Sequence, residues 1–83
     1  MFNIEIGVPS STSVVVVSGE DTLKEVFSRN NKGNLLTGNV TIKVYSAGKA
    51  ARNITLAQVD SSINSLGIVA DDLVVVSENL KSA

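Results

Sequence analysis

The stretch TSVVVVSGEDTLKEVF, residues 12–27, sets four consecutive valines directly before the start of a helix. A strand with one buried face needs only every second residue apolar, so Val14 to Val17 hold two more valines than such a face uses. An unbroken apolar run points instead to a strand covered on both faces or held in the middle of a sheet. After the run, Thr22-Leu23-Lys24-Glu25 reads as a capping box. The Thr22 hydroxyl accepts the Glu25 amide hydrogen while the Glu25 carboxylate reaches back to the Thr22 amide. Leu23, Val26 and Phe27 then fall at i, i+3 and i+4, which predicts a short helix with one apolar stripe. The run RNNKGN, residues 29–34, ends it, with Gly33 placed for a left-handed cap.

Upstream of the valines, Phe2, Ile4, Ile6 and Val8 alternate with Asn3, Glu5 and Gly7, the period-2 pattern of a strand with one wet face. Pro9-Ser10-Ser11 supplies turn chemistry, so the two strands read as a hairpin. Downstream, Val40, Ile42 and Val44 alternate with Thr41, Lys43 and Tyr45. A turn at Ala47-Gly48 then lets residues 50–54 fold back as a short strand. Thr55 is placed to cap a second helix whose apolar positions Leu56, Val59, Ile63 and Leu66 step by three and four before Gly67 stops it. A last strand covers 73–77, again with an unbroken apolar run. No linker, repeat or low-complexity segment interrupts residues 1–83, and the order predicts a single α+β domain with helix packed on sheet. In 83 residues two helices cannot cover both faces of that sheet, so part of the valine surface is expected to stay open.

The inventory narrows the chemistry. With no cysteine and no histidine, disulfide staples, thiolate nucleophiles, Cys/His zinc sites and imidazole acid–base catalysis are all unavailable, and the chain is expected to be neither an enzyme nor a cofactor protein. Asp71-Asp72 are strand neighbours that point to opposite faces, which favours a turn or strand-entry role over a metal site. The segment SAGKA lacks the leading glycine, the spacing and the hydroxyl of a phosphate loop, and no serine has a relay partner or a nucleophile elbow. Seven basic against eight acidic residues give a net charge of −1, which argues against a dedicated polyanion surface. Six of the seven bases lie between Lys24 and Arg52, and Lys43, Lys49 and Arg52 form the one cluster that could meet nucleic acid. Aromatic residues are limited to Phe2, Phe27 and Tyr45, too few for a base-stacking platform. Asn39-Val40-Thr41 and Asn53-Ile54-Thr55 match the glycosylation sequon, but the N-terminal residues lack the pattern of an export signal and no run approaches the roughly 20 apolar residues of a membrane span. The chain therefore reads as soluble and cytoplasmic.

Together the N-terminal hairpin, EDTLKEVF as a capped first helix, VTIKVYSAGK as a third strand with its turn, and GIVADDLVVV as loop and closing strand resemble the ubiquitin-like β-grasp family over most of the chain. The resemblance implies a mixed sheet of four to five strands in the order 2-1-5-3, packed on one main helix with a second short helix. The family expects only a single turn where the periodicity here predicts that longer second helix. Conjugated members and sulfur carriers close on Gly-Gly, whereas this chain closes on SENLKSA, so activation of a C-terminal glycine is not expected. Carried over by parity, the resemblance places Val15, Val17, Phe2, Ile4, Ile6, Leu23, Val26, Ile42, Val44, Leu73 and Val75 in the core. Val14, Val16, Lys43, Tyr45, Val74 and Val76 then share the outer face of the sheet, the surface ubiquitin uses to meet partners.

Three readings of function stand open at this level. The first is a non-enzymatic interaction module, an adaptor or assembly factor, that presents a sheet face or edge to another protein or to a second copy of itself. The second is an inhibitor or regulator of a host protein encoded by a phage or mobile element. The third is nucleic-acid binding through Lys43, Lys49 and Arg52.

Overall fold

The computed structural model describes residues 1–36 and 38–78. The C-terminal residues on which the chain departs from the Gly-Gly pattern lie outside that range. Strands β1 (Phe2–Val8) and β2 (Ser11–Val17) form an antiparallel hairpin in continuous register from Phe2 opposite Val17 to Val8 opposite Ser11. The connection is the two-residue turn Pro9-Ser10. Neither residue has a positive φ, so the turn is not one of the primed types whose twist matches the strands. Gly7 instead takes φ 150°, next to the turn, and a Cβ there would run into the Ser11 carbonyl. Only glycine reaches that geometry without strain.

Helix α1 (Leu23–Arg29) starts as the sequence predicts. The Glu25 amide donates to Thr22 Oγ1 at 3.1 Å and the Thr22 amide to Glu25 Oε1 at 3.2 Å. Arg29 in the last turn reaches back to Asp21 at 2.8 Å, and the Ser18 amide donates to the same carboxylate. The Arg29 guanidinium, helped by the Ser18 N–H, holds the Asp21 carboxyl below its usual range. The C-terminal cap differs from the expectation at Gly33. Asn31 is the left-handed residue, at φ 59°, and the bonds Lys32 N to Phe27 O and Asn31 N to Ser28 O complete a Schellman motif. Asparagine tolerates this conformation, and the chain turns two residues before the glycine. Gly33 opens a 3-10 turn, Gly33–Leu36, instead.

Strand β3 (Val40–Tyr45) is followed by a three-residue β4 (Arg52–Ile54), as the turn at Ala47-Gly48 predicts. The second helix is corrected by the structure to a 3-10 turn at Leu56–Gln58, after which residues 59–67 run as turns. Asp60, Ser61, Ser62 and Asn64 are residues whose short polar side chains compete with helical bonding. Ser62 Oγ accepts the Ser65 amide, and Ile63 and Asn64 donate their amides to the carbonyls of Asp21 and Gly19. The segment is thus tied to the loop that starts α1. Val59 and Ile63 are buried all the same, so the periodicity names the inward residues but not the conformation.

Strand β5 (Leu73–Glu78) completes a mixed sheet in the order β2-β1-β5-β3-β4, a β-grasp arrangement with α1 across one face. It runs parallel to β1 and antiparallel to β3. Phe27, Leu23 and Val26 of α1 are fully enclosed with Ile4, Ile6, Ile42 and Val44 of the sheet.

The parity of β5 is the reverse of the sequence expectation. Ile6 and Val44, both core residues, stand in register with Val74, and Ile42 with Val76. Residues paired across a ladder share a face, so Val74 and Val76 enter the core and are almost wholly buried. Leu73 and Val75 take the other face. A run without alternation carries no parity of its own, and only its neighbours' registers fix it.

Candidate functional site

The face of the sheet turned away from α1 can be assembled row by row from the strand registers. One row crosses Val14, Glu5, Leu73 and Tyr45; the next crosses Thr12, Gly7, Val75, Lys43 and Asn53. Val16 and Asn3 stand opposite each other in a third row. Of the residues assigned to this face from sequence, Val14, Val16, Lys43 and Tyr45 are on it and exposed. Val74 and Val76 are not, for the register reason given above.

Two surfaces result. The first lies in the middle of the face: a depression of about 590 Å³ bordered by Pro9, Thr12, Lys43 and Tyr45, with Thr41 and Ser77 at one end and Leu73 and Val75 along β5. Gly7 contributes no side chain between Thr12 and Val75, which keeps the depression open. Val75 is only 7% exposed there, because β5 is the middle strand of five, whereas Tyr45 stands clear. The lining is apolar along β5, hydroxyl-bearing around it, and its one charged side chain is Lys43. A pocket of this size, with a greasy base and few polar groups, suits an inserted side chain or small group.

The second surface is the β2 edge. Val14 is 64% exposed and Val16 59%, and they are set apart from the depression by Glu5 and Asn3 of β1. The Glu5 carboxylate accepts the Thr12 hydroxyl at 2.9 Å, which fixes its position between Val14 and Leu73. The single outer face expected from sequence joins these two surfaces through Val74 and Val76, which the register places in the core instead.

Leu73 and Val75, expected in the core from sequence, lie on this face, and Gly7, Pro9, Thr12, Thr41 and Ser77 join them there without a role assigned from sequence. A lone glycine inside a strand is a known mark of close backbone approach, so Gly7 did carry a signal. The basic cluster does not assemble. Lys43 is on the open face, Lys49 is in the hairpin turn, and Arg52 lies on the α1 side, where its guanidinium donates to Leu66 O at 2.9 Å and Gly67 O at 3.1 Å.

Asp71 and Asp72 serve the entry to β5. Asp71 takes φ 68° and donates its amide to Asn3 O, while the buried Asp72 accepts the Val69 amide at 2.9 Å and its carbonyl accepts from Glu5. Among the described residues no three acidic side chains converge as a metal site would need, and no helix is long and apolar enough to cross a membrane. Compared with known proteins, the chain matches no family model, and no curated protein matches it significantly.

Proposed function

We propose that this protein is a non-enzymatic interaction module, a ubiquitin-like adaptor or assembly factor of the cytoplasm, that receives another protein on the open face of its sheet. The observation that carries the reading is the depression along β5, where Lys43 and Tyr45 rim an apolar strip that α1 does not cover. Interface centres are enriched in tyrosine and in pockets that desolvate an anchoring side chain, and this face offers both. With Lys43 its one charge, the depression suits an apolar partner side chain next to a carboxylate.

The test is photo-crosslinking in the native host, with a photoreactive phenylalanine analogue at Tyr45 and a control at Lys49. A discrete adduct at Tyr45, lost with Lys43→Glu and lacking at Lys49, is the expected result. Adducts that are the same at both positions, or that ignore Lys43→Glu in a folded protein, would overturn the reading.

A further inference from the structure

We infer that the β2 edge is a self-association surface, on which a second copy of this chain pairs its own β2 antiparallel about a two-fold axis. The two edges of the sheet are unlike. β4 is three residues long and carries the charged Arg52, both ordinary devices for discouraging strand addition. β2 has none of them: it runs seven residues, STSVVVV, without charge, proline or bulge, in unbroken register with β1. Its other edge therefore offers a regular row of backbone donors and acceptors, and among the described residues no strand takes them up.

The partner that fits this edge is an uncharged extended strand with apolar residues two apart, and β2 itself has that form. Pairing about Val15 sets Val14 of each copy opposite Val16 of the other on the open face, and Ser13 opposite Val17 on the inner one. No like charges meet anywhere along this ladder. Val15 and Val17 are already covered within one chain, so the new apolar contact is concentrated at Val14 and Val16, the two side chains left exposed. The pairing is isologous and occupies the β2 edge of both copies, so it closes at two copies and does not propagate. An interface this narrow falls below about 1,200 Å², the size range of weak and transient contacts.

The inference uses the edge and is independent of the depression, so the two can fail separately. Sedimentation equilibrium from about 10 µM to 1 mM should show a monomer–dimer equilibrium for the natural sequence, weakened at least tenfold by Val16→Lys and unchanged by Lys43→Glu. Amide hydrogen exchange on the natural sequence at the two ends of that range needs no variant, and protection should rise within residues 11–17. A monomer throughout the range, association that survives Val16→Lys in a folded chain, or added protection confined to β4 or to the open face would each overturn it.

Discussion

The reversed parity of β5 makes a sharp prediction at Val74. This side chain is 0% exposed and stands in register with Ile6 on one side and Val44 on the other. Val74→Ala removes two methyl groups, about 1.6 kcal/mol of transfer free energy at roughly 0.8 per carbon. The void left between packed strands raises the loss to about 2–3 kcal/mol. A chain of 83 residues is expected to be stable by roughly 4–12 kcal/mol, so a large share is lost and the melting temperature should fall by roughly 10–20 °C. Val14→Ala removes the same atoms from a side chain that is 64% exposed and should cost at most about 0.5 kcal/mol. Urea and thermal unfolding followed by circular dichroism compare the two directly. If Val74→Ala proves as mild as Val14→Ala, β5 is not in the register described, and the open face would have to be rebuilt with Val74 and Val76 on it.

Two further predictions concern the hairpin and the helix start. Gly7→Ala should destabilise by at least about 2 kcal/mol, because it forces a side chain into φ 150° and against the Ser11 carbonyl; calorimetry on the purified variant checks this. The Asp21 carboxyl is held low by Arg29 and Ser18, so its contribution is fully present above the unfolded value near 3.9 and is lost as pH falls through the folded one. The stability gap between the natural protein and Asp21→Asn should therefore narrow below about pH 4, and a gap that stays constant from about pH 6 to 2 would refute the ion pair's role.

The sequence announces those elements whose pattern is local. The alternations at Phe2–Val8 and Val40–Tyr45, and the capping box at Thr22, each carry their own period or partner within a few residues, and each forms where expected. The valine tetrad was half legible. Val15 and Val17 go in by parity with Ile4 and Phe2, but whether Val14 and Val16 find cover depends on what lies beyond β2, and among the described residues no strand does. Runs that look alike thus end differently, one at an edge and one in the middle. The second helix failed for another reason. Its apolar spacing is genuine, yet side-chain oxygens at Ser62 and backbone bonds to Gly19 and Asp21 win the amides a helix would have needed. Charge alone marks Arg52 as a surface cation and says nothing of the carbonyls that take its guanidinium. Its place on the α1 side of β4, opposite the carbonyls of Leu66 and Gly67, is set by the three-residue pairing with β3.

The place of β5 also governs how the molecule comes into being. Among the described residues it is the last strand in chain order and the one that joins the β1–β2 hairpin to the β3–β4 hairpin. β1 and β3 each pair with β5 and not with each other, so without it the two hairpins share no ladder of strand bonds. Closure waits for Leu73 to Glu78 to slide between them, a long-range step that makes assembly slow relative to helix formation. A nascent or truncated chain ending before Leu73 should consequently be a client of chaperones rather than a smaller version of the same domain.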